Sequence, residues 1–265
     1  MALQFHQIPA TVPPLPRAVD HRRRLPVTVA FGWLAAGWQD LWTEAGASLV
    51  YGLGVATLSA IVISAMFVFG WEQVLFPALA GFLVVGPVLA TGLYEKSRRL
   101  AAGEPVYLSA MIWPRQSPGQ HLFYVGAVLM TLMLVWMRAA VLLYALFFGW
   151  RPFPGFDRVI EMLFTTPTGI AMLATGAAVG GLFAAFAFAV SVFSIPMLLD
   201  RRLDAFSAMG SSVSLVWNNL PALLVWGAIV LALTLVSLAT GLAGLVIIFP
   251  LLGHASWHAY AAVRD

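Results

Sequence analysis

Arg138 is the residue whose type and position most directly suggest chemistry. It is the single charge in the apolar run of residues 122–148. A charge near the middle of a membrane span costs about 3 kcal/mol on insertion scales, so we expect Arg138 to face the interior of a helix bundle, with Trp136 lining that interior. Two roles stay open: an arginine that pins helix ends, or one that binds an anionic substrate or lipid headgroup. Its candidate partners are free carbonyls and three loop acids, Glu72, Asp157 and Glu161.

His254 and His258 stand four residues apart, so both imidazoles would point from one face of a helix. Two metal or haem ligands need that spacing, but no Cys, Asp or Glu lies close by apart from Asp265. The sequence therefore predicts no metal site and no other cofactor. We expect the fold to survive replacement of both histidines by alanine.

Three prolines occupy equivalent places, since Pro87, Pro196 and Pro250 each lie near the end of a long apolar run. Proline frees the carbonyl one turn earlier and kinks a membrane helix. The three kinks either shape one mouth of a bundle or form a shared site or gate. The sequences SRRL at 97–100 and DRRL at 200–203 follow the first two prolines. We interpret the chain as three repeats of a surface helix and a helical hairpin.

Basic residues cluster at the ends of these runs and before the first one. We expect them to contact anionic lipid headgroups, and each contributes about 1 kcal/mol to such binding. The alternative is that these charges only fix the orientation of the spans, since the positive-inside rule requires the same residues. The residues are Arg22, Arg23, Arg24, Lys96, Arg98, Arg99, Arg201 and Arg202.

The composition indicates which elements position these residues. Of 265 residues, 61% are hydrophobic and 9% are charged, which excludes a soluble globular protein and a disordered chain. The absence of cysteine excludes disulfides, thiolate metal sites and thiol nucleophiles. The predicted fold class is all-α, a polytopic membrane helix bundle.

Charge-poor apolar runs of spanning length predict about six transmembrane helices, paired as three hairpins. Their limits are about 47–69, 74–94, 122–148, 167–199, 221–239 and 242–260. Thr166 suits a helix N-cap and Pro167 the first helical position, and the long fourth run should tilt or break at Pro196. Residues 1–26 are predicted to form a flexible arm rich in Pro and Arg, and residues 27–265 a single transmembrane domain.

The basic residues also predict the orientation. With six spans, eleven of them lie on the side of both termini, two lie on the other side, and Arg138 lies within a span. This bias places both termini in the cytoplasm. Residues 27–44, with Leu34, Trp38, Leu41 and Trp42 on one face, and the weaker pattern of residues 207–217 predict amphipathic helices at the membrane surface.

Three blocks of the sequence carry a resemblance to a known family. They are GLYEKSRRLAAGEP at 92–105, PMLLDR at 196–201 and PLLGHASWH at 250–258. Together they resemble a bacterial integral-membrane family, domain of unknown function 2189, over most of the chain from about Gly32. The resemblance implies a bacterial inner membrane location and supplies no catalytic residues.

Some members of that family are labelled as cytochrome c oxidase subunits. A haem-copper catalytic subunit needs many more spans and a set of intramembrane histidines, whereas none of the five histidines here lies in the middle of a span. Catalytic oxidase activity is therefore excluded, and an accessory role stays open.

We expect an integral membrane protein that serves as a non-enzymatic accessory, assembly or organising factor, because no motif supplies reaction chemistry. The alternative is a transporter or channel for a small anionic or lipidic solute that uses Arg138 and the proline-kinked helices. A membrane enzyme is the least favoured class, because the sequence offers no mid-span acid or base for catalysis. The expected partners are anionic membrane lipids and either another membrane protein or a second copy of this chain, with no nucleic acid.

Overall fold

The computed structural model describes residues 21–113, 119–149 and 154–264, apart from the side chains of Glu72, Phe156 and Asp157. All regular structure in these ranges is helical. In chain order the α-helices are α1 (Val29–Trp42), α2 (Ala45–Val68), α3 (Leu75–Leu89), α4 (Thr91–Ala101), α5 (Leu108–Ile112), α6 (Gly119–Phe148), α7 (Phe156–Thr165), α8 (Pro167–Ser191), α9 (Ser194–Asp200), α10 (Ala205–Asn218), α11 (Leu220–Ala239) and α12 (Leu245–Ala261). Most of the predicted arm, residues 1–20, lies outside the described residues.

Five helical stretches are long and apolar enough to cross a membrane. They are Ala45–Val68, Leu75–Ala101, Gly119–Phe148, Pro167–Asp200 and Leu220–Ala239. The predicted sixth span corresponds to α12, an apolar helix of 17 residues. At 1.5 Å per residue it is about 25 Å long, the lower end of what a span requires. The prediction of an all-α polytopic membrane protein is confirmed.

Local chemistry explains several helix boundaries. The Thr166 side chain accepts a hydrogen bond from the Gly169 backbone N–H at 3.0 Å, and Pro167 occupies the first turn of α8, as predicted. Asp204 caps α10 in the same way by accepting from the Ser207 N–H at 2.9 Å. Gly241 adopts a φ of 59° in the turn between α11 and α12, a left-handed conformation that favours glycine.

Two of the three prolines that occupy equivalent places in the sequence lie beside helix breaks. Ala90 separates α3 from α4, three residues after Pro87. Residues 192–193 separate α8 from α9, just before Pro196. The carbonyl that Pro196 frees, that of Val192, lies at the second break, whereas the carbonyl that Pro87 frees, that of Leu83, lies one turn before Pro87 and not at the first break.

Close helix packing brings α1 and α2 against α12, which continues through Pro250. Because Pro250 cannot donate a backbone hydrogen bond, the Val246 carbonyl one turn earlier is freed, and this carbonyl lies against Gly52 of α2. A β-carbon at Gly37 of α1 would lie 2.5 Å from the backbone nitrogen of Ala255. Glycine at these positions therefore permits the approach of both helices to α12.

Several helix ends meet at one end of the bundle, which we call the polar end. It comprises the start of α2, all of α4 and α9, the C-terminal half of α12, and α1, which packs on α12. The Tyr260 hydroxyl donates to Asp200 at 2.8 Å, and Arg23 Nε donates to the Val263 carbonyl at 2.9 Å. The first bond joins α12 to α9, and the second joins the start of the described chain to its end.

Two features differ from the sequence interpretation. Residues of α7 were expected to form a loop, but Val159 and Leu163, one turn apart, are both buried in a helix. On α1 the predicted apolar face divides: Leu41 is buried in the bundle, whereas Trp38 and Trp42 are exposed and meet edge to face. Because α1 packs on the bundle through Leu41, Trp38 and Trp42 lie on the outer surface.

Candidate functional site

A cluster of polar side chains, here called the polar network, is buried at the polar end. Its members are Asp40 from α1, Ser48 from α2, Lys96 and Ser97 from α4, and His254 and His258 from α12. Ser48, Lys96, Ser97 and His254 are each at most 1% exposed. Polar atoms at this depth need partners within the protein, because water does not reach them.

The Ser48 hydroxyl joins Lys96 to His254. Lys96 Nζ donates to Ser48 Oγ at 2.7 Å and to the Glu44 backbone carbonyl at 3.1 Å. Ser48 Oγ lies 2.9 Å from His254 Nε2. Glu44 has a φ of 52°, a left-handed backbone conformation at the corner between α1 and α2. The Lys96 ammonium group therefore stabilises this strained corner beyond the carbonyl end of α1.

The other ring nitrogen of His254 extends the network to the surface. Nδ1 lies 2.8 Å from Ser97 Oγ, Ser97 hydrogen-bonds Asp40, and Asp40 Oδ2 lies 2.8 Å from His258 Nε2. With a proton on Nδ1, each hydroxyl accepts one bond and donates one, from the Lys96 ammonium to the Asp40 carboxylate. Burial alone would raise the pKa of Asp40, but hydrogen bonds from His258 and Ser97 hold it below its usual value.

The chemistry available to the network is limited by its burial. Ser48 contacts an imidazole and an ammonium group, the partners that activate a nucleophilic hydroxyl. Its side chain is nevertheless fully buried, so a substrate does not reach the hydroxyl in this conformation. The arrangement joins α1, α2, α4 and α12 and acts as a clamp between them.

The network corrects two expectations from the sequence. Lys96 is fully buried and does not reach a lipid headgroup, because its ammonium group is held inside the bundle. His254 uses both ring nitrogens in hydrogen bonds, and His258 pairs with Asp40, so the two imidazoles do not converge on a metal. Because His254 bridges two helices, the expectation that the fold tolerates its loss is revised.

Arg98 and Arg99 also have protein partners rather than free headgroup contacts. Both guanidinium groups lie 2.8 Å from the carboxylate of Glu95, which is 1% exposed, and both approach Glu104. The i,i+3 and i,i+4 spacing of these residues is the sequence signal for this cluster. Of the other predicted headgroup residues, Arg23 donates to the Val263 carbonyl and Arg201 to the Arg264 carbonyl. The side chains of Arg22, Arg24, Arg201 and Arg202 are exposed.

Trp136 and Arg138 face opposite sides of α6. The Trp136 Nε1–H donates to the Pro77 carbonyl at 3.0 Å, and Gly180 of α8 packs against its ring. Two residues correspond to a rotation of about 200°, and the Arg138 side chain is exposed on the outer surface. The expectation that Arg138 faces the interior is wrong, whereas Trp136 lies there. Of the predicted acidic partners, only Glu161 has a described side chain, and it is exposed on α7 without an ion pair to Arg138.

A central cavity of about 90 Å³ lies between the stretches α3–α4, α8, α11 and α12. Pro87 lines it directly. The carbonyls that Pro87 and Pro196 free belong to Leu83 and Val192, which also line it. The sequence grouped the three prolines, and the structure places the residues that carry two of the freed carbonyls in the lining of one cavity.

The polar side chains of the cavity differ in their partners. Thr234 and Ser237 each donate to a carbonyl one turn earlier on α11, at 2.8 and 3.1 Å. Ser191 and Trp226 are at most 1% exposed, yet Ser191 Oγ and Trp226 Nε1 have no hydrogen-bond partner within the described ranges. No sequence pattern distinguishes these two residues, since a single serine or tryptophan has no characteristic spacing.

Comparisons with known proteins give one match. Residues 75–200 match the model of a family described as predicted integral membrane protein, DUF2189, which confirms the resemblance over that part of the chain. The matched region contains the blocks at 92–105 and most of the second block, whereas 250–258 lies beyond it. Searches of curated proteins and of solved structures found no match.

Proposed function

We propose that this chain is an accessory or organising subunit of the bacterial inner membrane, with both termini in the cytoplasm. In this proposal α6 pairs with an acidic residue in the transmembrane helix of a partner protein. The observation that carries the proposal is the outward orientation of Arg138 within a helix of spanning length.

The surroundings of Arg138 are apolar. One turn before and one turn after it, Leu134 is 59% exposed and Leu142 is 69% exposed. Phe148 ends α6 ten residues further on, about 15 Å away at 1.5 Å per residue. An arginine at this depth costs about 3 kcal/mol on insertion scales unless it extends to the headgroups or pairs with a carboxylate. A partner's acid would offset that cost.

The partner should be a different protein. No Asp or Glu of this chain lies within the apolar run of a span, so a second copy would not supply a carboxylate at the depth of Arg138. The same orientation argues against the transporter alternative in its original form, because Arg138 would not meet a solute inside the bundle.

The exposed arginines at the polar end support the orientation in the proposal. Arg22, Arg24, Arg201 and Arg202 are exposed there, which suits contact with an anionic cytoplasmic leaflet. Each basic residue near such a surface contributes about 1 kcal/mol.

Site-specific photo-crosslinking in intact cells tests the pairing. A photoreactive amino acid at Leu142 should capture a discrete membrane protein through its transmembrane segment. Arg138→Ala should abolish that product, because the ion pair that aligns the helices is lost. Arg158→Ala removes the same charge from an exposed position on α7 and serves as the matched control, which should retain the product.

Charge exchange completes the experiment once the captured protein is identified. Arg138→Glu should prevent capture, and replacement of the partner's intramembrane acid by arginine should restore it. Crosslinks to lipid alone, or the same protein product with Arg138→Ala, would contradict the proposal.

A further inference from the structure

A larger pocket, which we call the outer pocket, lies at the end of the bundle away from the polar end. It is lined by the start of α3, the second half of α6, α7 and the first half of α8. Further in, these helices are in close contact, since Gly81 of α3 packs against Met133 and Gly180 of α8 against Trp136. The volume of the outer pocket is about 530 Å³, enough for large side chains.

The lining of the outer pocket is almost entirely apolar. Its polar side chains are Gln73, Tyr144 and Trp136, and Trp136 already donates to the Pro77 carbonyl at 3.0 Å. No charged side chain of the described residues lines it. An ion would therefore lose its hydration there without gaining a partner, whereas an aliphatic or aromatic group would not.

The outer pocket opens beside Arg138. Val141 of α6 and Phe76 of α3 line it and are 47% and 44% exposed, so the pocket reaches the outer surface at these side chains. Val141 lies three residues after Arg138, which is about 60° around the helix and about 4.5 Å along it. The opening and the exposed arginine therefore lie side by side at the same depth of the span.

The charge of Arg138 decides between the possible occupants. The hydrocarbon chain of a bilayer lipid would fill the pocket but leave the neighbouring guanidinium group without an anion, because lipid phosphates lie in the headgroup layer at the ends of the spans. A transmembrane helix with a carboxylate meets both requirements. Its acid pairs with Arg138, and a second side chain on the same face fills the pocket.

We propose that the outer pocket receives a large aliphatic or aromatic side chain from the same partner helix whose acid pairs with Arg138. This inference rests on the proposed function and adds a second contact to it. Because Arg138 and Val141 are one turn apart, the partner's acid and its apolar side chain should be three or four residues apart. Packing holds helices together in a bilayer, and a side chain seated in a pocket supplies it.

Site-specific photo-crosslinking of the full chain in intact cells maps the contact. A photoreactive amino acid at Val141 or at Phe76 should capture the same membrane protein as one at Leu142. Leu146 is 78% exposed and lies about 140° around α6 from Val141, so it is the matched control and should give little product. Mass spectrometry of the Val141 product should place the crosslink within one turn of an Asp or Glu in a transmembrane segment.

A variant that fills the outer pocket from within tests its occupancy. Gly176 of α8 lines the pocket, and a β-carbon there would have no atom within 4 Å. Gly176→Leu should lower capture from Leu142 about tenfold, which corresponds to about 1.4 kcal/mol. Gly181→Leu is the matched control, because Gly181 also has open space on α8 but does not line the pocket. This control should retain the product.

The outcomes separate this proposal from the pairing of Arg138. If capture from Leu142 depends on Arg138 but Val141 and Phe76 give crosslinks to lipid alone, a bilayer acyl chain occupies the pocket and the present proposal is overturned, while the pairing stands. Unchanged capture with Gly176→Leu would overturn it in the same way. No protein product from any of the three positions would overturn both proposals.

Discussion

The polar network and the mostly apolar central cavity are two buried regions that share α4 and α12, and they differ in whether their polar side chains have hydrogen-bond partners. In the network, Ser48 and His254 each make two hydrogen bonds. In the cavity, Ser191 and Trp226 make none within the part of the chain that the structure describes. One region is complete by itself, and the other contains donors that the protein does not use.

This difference separates architecture from binding. A satisfied buried network fixes the relative positions of the helices that supply it, and its loss is costly because each remaining partner is stranded. A buried donor without an acceptor lowers the free energy of unfolding and fixes no helix position. A group that accepted a hydrogen bond from it would offset that loss. The network therefore stabilises the packing of α1, α2, α4 and α12, whereas the cavity leaves Ser191 Oγ and Trp226 Nε1 without a partner among the described residues.

The largest expected effect comes from breaking the network at its centre. His254→Ala should destabilise the protein by about 3 kcal/mol, because it leaves two buried hydroxyl groups without their shared partner and removes buried packing. The measurement is the midpoint of SDS-induced unfolding in mixed micelles. His258→Ala makes the same change at a half-buried position and should cost clearly less. Equal effects of the two changes would show that the network does not hold the four helices together.

The sequence predicted five of the spans and the Thr166 cap, because these depend on composition and local backbone preference. It placed His254 and His258 on one helix but not Ser48 or Asp40 beside them, since these contacts join positions more than 200 residues apart. Arg138 was predicted to face inward because a charge exposed to lipid is energetically unfavourable. Packing of Trp136 against Gly180 fixed the rotation of α6 instead, and Arg138 faces outward as a result.

The same substitution in both regions gives the next largest effect. Ser48→Ala removes a hydroxyl with two buried partners and should destabilise the protein by about 2 kcal/mol. Ser191→Ala removes a buried hydroxyl without a partner and should be neutral or stabilising by up to about 1 kcal/mol. Unfolding midpoints of both variants in the same nanodisc lipid, compared by extraction into SDS, measure the contrast. If both substitutions lower the free energy of unfolding equally, the distinction between the hydrogen-bonded network and the unpartnered side chains of the cavity is wrong.

The smallest effect concerns pH at the exposed end of the network. The pKa of Asp40 is lowered in the folded protein, so the folded state binds this proton less tightly than the unfolded state does. The resulting stabilisation is fully present above the ordinary Asp pKa of about 3.9 and is lost as the pH falls through the lower, folded pKa. Asp40→Asn should therefore lose less stability than the unmodified protein when the pH falls below about 4, by less than about 1 kcal/mol for this partly exposed group.

Asp204→Asn is the control, because Asp204 also has a lowered pKa, through Ser207, but lies outside the network. When combined with His258→Ala, Asp40→Asn should have a smaller effect on the pH dependence, whereas the effect of Asp204→Asn should be unchanged. The same acid sensitivity for Asp40→Asn and the unmodified protein would mean that the Asp40–His258 bond does not stabilise the polar end.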